Sequence, residues 1–293
     1  MNIRAILRKL ALQEDLNFLL TNRVPRIALT HLMGWISRIE HPLICRWSIA
    51  IWQLFAELDL SDADSARFRS LHDCFTRRLR DGARPIDRAA DVLVSPCDAI
   101  VGACGRIVGA LVLQAKGFPY SLDDLLLDPG LVAAHRDGTY VTLRLTSAMY
   151  HRFHAPADLR VERVTYVSGD TWNVNPIALR RIERLFCRNE RAVIECRLDA
   201  GRLPLTLVPV AAILVASMRL AFMDVLLHLR YRGPNRLACD VHLSKGEEMG
   251  WFEHGSTIIV LVPPGYALCP DVRSGVTLRM GEALLRLRPA AHN

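Results

Sequence analysis

The sequence predicts an α+β protein: a helical N-terminal region followed by a predominantly β core. Three observations carry this reading. Before residue 88, apolar residues recur at the 3.6-residue spacing of helices. After residue 90, short β-rich runs alternate with turns. Hydrophobic residues make up 51% and charged residues 23% of the 293, which excludes disorder, a coiled coil and a small disulfide scaffold. The division falls at 1–88 and 89–293, with no low-complexity linker and no repeat.

Residues 3 to 20 read as a helix, because Ile3, Ile6, Leu7 and Leu10 share one face. Residues 26 to 58 are also helical, interrupted at Pro42. Within them, Trp47 to Ala56 holds two tryptophans and few charges. This stretch fits a core helix. It fits equally well a segment lying in a membrane interface, where Trp sits well and Arg38 and Arg46 meet anionic head groups. Ser61 to Asp64 has capping-box spacing and predicts a helix to about Arg80, stopped by Gly82 and Pro85. Strands are expected at Val92 to Ser95, Ala99 to Val108, Tyr140 to Leu145, Arg160 to Val167, Ala192 to Leu198, Leu205 to Met218, Thr257 to Val262 and Val276 to Arg279. Ser121 to Asp124 is a second capping box, opening a short helix through Leu127. The apolar run Leu207 to Met218 contains Pro209 and falls short of the ~20 residues of a membrane span; it reads as a buried strand pair.

The net charge is +7, and 34 of the 37 basic residues are Arg. A basic surface favours an anionic lipid or an acidic substrate, and a codon bias toward Arg explains it equally well. No Lys/Arg block with interleaved aromatics is present, so nucleic acid is not an expected partner. Eight cysteines form no Cys-x-x-Cys pair, which excludes a zinc ribbon and a thioredoxin motif. They read as small core thiols of a reduced, cytoplasmic-side protein. Met1 to Leu20 carries Glu14 and Asp15 and lacks a continuous apolar stretch, so no secretory signal is expected.

Three short stretches could carry chemistry. Ser95-Pro96-Cys97-Asp98 places a carboxylate at a turn; a plain Asx-turn explains it too. Tyr150-His151-Arg152-Phe153-His154 holds two imidazoles three residues apart. They converge on a helix or turn, as a metal pair or a base with a second proton carrier, and point to opposite faces on a strand. Gly255-Ser256-Thr257 puts a Ser after a Gly at a strand entrance, either as an exposed nucleophile or as a simple turn. Together they supply one Asp, one His and one Ser, the parts of an activated-serine relay.

Ordered motifs over about residues 24 to 265 then resemble the phosphatidylserine decarboxylases, pyruvoyl enzymes made as self-cleaving proenzymes. Phe75-Thr76-Arg77 and Gly82-Ala83-Arg84-Pro85-Ile86-Asp87 resemble the family's FTR and GARPID stretches. Ser95-Pro96-Cys97-Asp98 resembles its SPxD. Gln114 to Gly117 with Tyr120-Ser121-Leu122 resembles QxKG and YSL. Tyr150 to His154 with Pro156 resembles YHRxHxP. Gly169-Asp170, Val174-Asn175, Leu185-Phe186 and Asn189-Glu190-Arg191 resemble GDLxxVN and LFxxNER. Lys245 to Phe252 with Gly255-Ser256-Thr257 resembles KGxExGxFxxGST.

The resemblance implies a decarboxylase core behind a membrane-associating helical region. It assigns a self-cleavage relay to Asp98, His154 and Ser256. Ser256 would attack the Gly255 carbonyl; the resulting ester eliminates, and hydrolysis leaves a pyruvoyl group with loss of ammonia. The products would be a β chain of residues 1–255 and an α chain of residues 256–293 that stay associated. The pyruvoyl, a covalent cofactor derived from Ser256, would form a Schiff base with phosphatidylserine and accept the electrons released with CO2, giving phosphatidylethanolamine. His151 is the candidate proton donor. No metal is required. The implied setting is the cytoplasmic side of the cell membrane, peripherally bound to an anionic surface, and a homodimer is compatible with it.

Several residues depart from the family pattern. His254 stands in place of Leu beside the scissile bond, Ala99 in place of Gly after Asp98, and Met149 in place of Asp before Tyr150. Ala211 and Ala216 replace glycines, and their methyls would narrow a lipid pocket. Two rival readings accompany this one. A zinc hydrolase would use His151, His154 and Asp98 or His254; a degenerate lipid-binding relative would never cleave. A triad-type serine hydrolase is disfavoured because Gly-Ser-Thr lacks the G-x-S-x-G elbow.

Overall fold

The apolar run that begins at Ser256 becomes the central strand of the molecule. The computed structural model describes residues 13–22, 24–115, 118–213, 217–253 and 256–288. The first part of the helix expected over 3–20, the expected cleavage-site residue Gly255, and also His254 and Ala216, lie outside the described residues.

Helices α1 (Glu14–Asn22), α2 (Arg26–Ser37), α3 (Pro42–Phe55) and α4 (Leu71–Phe75) come first. Then follow β1 (Val92–Val94), β2 (Ala99–Arg106), β3 (Leu111–Ala115), β4 (Phe118–Ser121), α5 (Leu122–Leu126) and α6 (Pro129–His135). Next are β5 (Thr139–Leu145), β6 (Arg152–His154), β7 (Leu159–Val167), α7 (Pro176–Leu179), α8 (Leu185–Arg188), β8 (Arg191–Leu198) and β9 (Pro204–Ala211). The last strands are β10 (Ser217–Leu220), β11 (Val225–His228), β12 (Arg236–Leu243), β13 (Glu248–Phe252), β14 (Ser256–Val262), β15 (Tyr266–Leu268), β16 (Thr277–Leu278) and β17 (Ala283–Leu287). The fold is mixed, with more strand than helix, as an α+β class requires.

Eight strands form the main sheet in the order β12-β7-β8-β9-β14-β5-β2-β16. Sheets β11-β10-β13-β6 and β1-β17-β15 supply further layers. Side-chain alternation gives the main sheet two cores. Ile258, Val260 and Val262 of β14 pack with Phe153, Met218, Phe252 and Leu285 of the smaller sheets. Ile259 and Leu261 face the other way, against Leu122, Leu125, Leu185 and Phe186 of the helices. All seven residues of β14 are buried, which is why its sequence reads as a continuous apolar run rather than an alternating one.

Two expectations change. No helix runs from Ser61 to Arg80. That segment has capping-box spacing at Ser61, but its large apolar residues begin only at Phe68, and before them tertiary pairing wins. Ala63 bridges Leu79, and Arg80 N–H donates to the Asp62 carbonyl at 2.9 Å. The helix starts only at Ser70, whose Oγ accepts the Asp73 N–H at 3.1 Å. The core-helix reading of the tryptophan segment also fails in part. On α3, Cys45 is buried and Trp52 stacks on Phe75 at 5.6 Å, but Trp47 is 67% exposed, as are Leu43, Ile51 and Phe55 by half or more. No helix among the described residues is long and apolar enough to cross a membrane.

Candidate functional site

The candidate residues converge on one end of the main sheet. Ser256 is the first residue of β14, opposite Leu145 of β5 on one side and Ala211 of β9 on the other. It is fully buried, and its Oγ has no hydrogen-bond partner. A buried unpaired hydroxyl costs roughly 1–3 kcal/mol. This serine is therefore held out of solvent without a structural bond to make.

His154 ends β6 and is 7% exposed. Its Nδ1 lies 3.0 Å from the Gly246 carbonyl, which can only accept, so Nδ1 carries the proton. Nε2 is then an acceptor, and Tyr150 Oη donates to it at 3.0 Å. Burial pushes the ring below its ordinary pKa, only partly opposed by the Gly246 carbonyl and by the charges of Glu248 and Asp98. Gly246 reaches this position at φ +87°, and a Cβ there would lie 2.1 Å from Ile86 Cδ1. Burial raises the Tyr150 phenol, which keeps it a donor near neutral pH.

Asp98 belongs to the adjacent turn. The backbone ties the two motifs together: His154 N–H donates to Pro96 O at 2.8 Å, and Val94 N–H to Pro156 O at 2.9 Å. The Asp98 carboxylate accepts Arg84 Nη2 at 2.6 Å, Arg84 Nε at 2.9 Å and the Met280 N–H at 2.9 Å. Arg84 also holds Asp62 at 2.9 Å. Among the described residues, Asp98, His154 and Ser256 make no hydrogen bond to one another.

His151 does not converge on His154. It precedes β6, is fully buried, and stacks on Phe75 with ring centroids 4.0 Å apart. Its Nε2 faces the Ser147 carbonyl at 3.4 Å. The two imidazoles thus have separate surroundings, and no metal-holding group of three His, Cys, Asp or Glu occurs among the described residues.

Two cavities meet at the loop between β5 and β6. One, of about 590 Å³, lies between α2, α3 and the sheet end; Met33, Ile36, Ile51, Trp52 and Phe75 line it with Arg144, Leu145 and Ala212. The other, of about 850 Å³, contains Arg84, Asp98, Met149 and Tyr150. Thr146 and Ser147 line both. Ala212 and Ile213, not Ala211, face the apolar cavity; Ala211 is buried opposite Ser256. Ala99 is buried opposite Leu278. Arg38 is engaged by Glu253 at 2.6 Å rather than left free for head groups.

Residue-type reasoning did not single out Arg84, Tyr150, Gly246 or Arg144 as functional. For Arg84, Tyr150 and Gly246 the signal was the order of motifs, which contain all three; Arg144 lies in none of them. Glu190 is a further silent group. Tyr166 Oη donates to its Oε1 at 2.5 Å, while Oε2 is buried with no hydrogen-bond partner. Burial pushes this carboxyl from 4.5 up to about 7, against the Tyr166 hydrogen bond. The folded state therefore holds the proton over a window where the unfolded chain loses it. Stability is full below about pH 4.5 and falls as pH rises to about 7, by roughly 3 kcal/mol. Glu190→Gln should flatten that fall and make the variant the more stable protein at pH 8. Urea unfolding at pH 5 and pH 8 measures it; an unchanged pH slope would contradict the assignment.

Comparison with known proteins bears on this site. A family model described as phosphatidylserine decarboxylase matches residues 71–286. A phosphatidylserine decarboxylase proenzyme of Polaromonas naphthalenivorans is 36% identical over 272 residues, covering 89% of this chain and 93% of the relative. One of Chromobacterium violaceum is 36% identical over 286 residues, covering 93% and 99%. One of Xylella fastidiosa is 33% identical over 277 residues, covering 90% and 92%.

Proposed function

Because the chain belongs to the phosphatidylserine decarboxylase family, we propose that it decarboxylates phosphatidylserine after cutting itself between Gly255 and Ser256. The observation that carries this is the Ser256 hydroxyl, buried without a hydrogen-bond partner among the described residues at the head of β14, directly opposite Leu145, which lines the apolar cavity.

Ser256 Oγ attacks the carbonyl carbon of Gly255 and displaces the peptide nitrogen, leaving an ester. His154 suits the role of base, because its ring is neutral and its Nε2 lone pair is available once Tyr150 moves aside. Asp98 favours the protonated ring through its charge, and Arg84 fixes the carboxylate. Elimination then breaks the Ser256 Cβ–O bond and releases Gly255 as a carboxylate, and water hydrolyses the remaining dehydroalanine to a pyruvoyl group and ammonia. The site fits that group: the hydroxyl is unengaged, the strand is locked in register, and the adjoining cavity is mostly apolar. A pyruvoyl carbonyl supplies an electrophile for the substrate amine and a sink for the electrons left when CO2 departs. In this reading His151 returns the proton; support for it is the Nε2 edge, which faces the carbonyl of Ser147, a residue that lines the cavity.

The substrate comes from a bilayer surface. Support for this is the pattern on α2 and α3. Their inner faces line the cavity through Met33, Ile36, Ile51 and Trp52, while Trp35 is 68% and Trp47 67% exposed outside. Monomeric surfaces rarely leave such apolar stripes bare. Residues 1–88 act as the membrane-associating part, peripheral at the cytoplasmic side, and residues 89–293 as the catalytic part. A homodimer is compatible with this arrangement.

Purified protein mixed with phosphatidylserine vesicles tests the reading. Denatured intact mass should show two chains meeting at Gly255/Ser256, the smaller blocked at its N-terminus. The protein should sediment with the vesicles and release CO2. A single 32.9 kDa chain that releases none would overturn it.

A further inference from the structure

Arg144 is an unpaired cation lining the mostly apolar cavity. It lies on β5, directly opposite Thr257 and one residue from Leu145, the partner of Ser256. The hydrophobic wall includes Met33, Ile36, Ile51 and Trp52. Other cations around the site are engaged: Arg84 holds Asp98 and Asp62, Arg152 holds Glu248 at 2.8 Å, Arg38 holds Glu253, and Arg77 donates to the Ala148 and Met149 carbonyls. Arg144 has no hydrogen bond or ion pair among the described residues. Burial alone lowers its pKa, with no carboxylate to offset it. Arg144 is half-buried at the cavity wall, and a guanidinium partly withdrawn from water without a counter-charge favours an anion from outside. Asn173 lines the same cavity, and its Oδ1 accepts the Asn175 N–H at 2.9 Å, so its amide N–H groups remain as further donors.

The cavity restricts which anion that is. Along β14, Ser256 shares its face with Ile258, and Thr257 shares the opposite face with Ile259. Arg144 sits on the Thr257 side. The group that leaves as CO2 must lie by the Ser256 remnant, and a guanidinium clamped on that carboxylate would stabilise the ground state and slow the reaction. A phosphodiester between the glycerol and the serine lies further out, beside the apolar chains, where the cavity's hydrophobic wall and Arg144 are found together.

We propose that Arg144 recognises the phosphodiester of the lipid substrate and so sets specificity for a glycerophospholipid. This rests on the function proposed above, but its test does not depend on catalysis. Dihexanoyl phosphatidylglycerol carries the phosphodiester without an amine or a carboxylate, and dihexanoylglycerol carries neither charge nor phosphate. Calorimetric titration of both into wild type, Arg144→Leu and Arg144→Lys reads the contact. Arg144→Leu should weaken phosphatidylglycerol binding roughly 10- to 100-fold, the size of one charge-assisted contact. Arg144→Lys should recover part of the loss, and dihexanoylglycerol should bind all three proteins alike. Equal weakening for both lipids would mean Arg144 only shapes the cavity. No change for either, or inorganic phosphate binding as tightly as the lipid, would also overturn the proposal. Arg144-dependent binding by a chain that neither cuts itself nor releases CO2 would sink the proposed function and leave this inference standing.

Discussion

Ser256→Ala should leave one uncut 32.9 kDa polypeptide with no decarboxylase activity. In the proposed mechanism the hydroxyl is the nucleophile and its remnant the reactive carbonyl, so a single atom's removal should abolish both steps. The variant should nevertheless fold. Ser256 Oγ makes no hydrogen bond and is completely buried, so methyl for hydroxymethyl removes an unsatisfied polar atom at little packing cost. Its stability should fall within about 1 kcal/mol of uncut wild type, or exceed it. Intact mass and thermal unfolding separate the outcomes. A variant cut as fully as wild type would rule out self-cleavage at this serine. A wild-type protein that stays a single uncut chain would instead reopen the zinc-hydrolase and lipid-binding readings, which require an intact chain.

His151→Gln should give the opposite split: two chains of normal mass, with kcat reduced roughly 10²- to 10⁴-fold, the usual worth of a positioned proton donor. His151 and His154 have different partners, Phe75 and Ser147 for one, Tyr150 and Gly246 for the other. Their roles should therefore separate cleanly. Phe75→Leu is the control for lost packing, because it removes the ring stacked on His151 while keeping the imidazole. It should lower kcat far less than His151→Gln does. Equal losses in the two variants would make His151 a packing residue. An uncut His151→Gln would assign it to processing instead.

Much of this architecture is legible from local pattern. The apolar run after Ser256, the strand pair around Pro209 and the helix behind Ser121 all follow from periodicity and caps. Strands β12 and β13 are harder to read. β12 is a half-exposed edge with Arg236, Asp240 and His242 on it. β13 contains Gly250, whose missing Cβ admits the Arg219 carbonyl, since a Cβ would lie 2.0 Å from it. Neither resembles a strand by composition. The motifs at Asp98, His154 and Ser256 were legible as residue types, but their relation was not. That Arg84 occupies the Asp98 carboxylate, and that Gly246 fixes the His154 tautomer, depends on contacts across 14 and 92 positions of chain. Arg144 was invisible for a related reason: an arginine on a strand looks solvated until the helices that cover it are placed.

The location of β14 has a consequence for the processed protein. A break ahead of Ser256 frees no flap. The 38-residue fragment would begin in the middle of the main sheet, laddered along Leu145–Thr139 and Ala211–Thr206. Its last described strand is β17, between β1 and β15. Such a fragment can leave only if the sheet comes apart. Cutting would thus turn unfolding from a one-body into a two-body equilibrium, and a folded nicked enzyme that loses its structure would not regain it readily in dilute solution. The covalent chain is needed to thread that strand into place, and after the cut the sheet alone remembers the order.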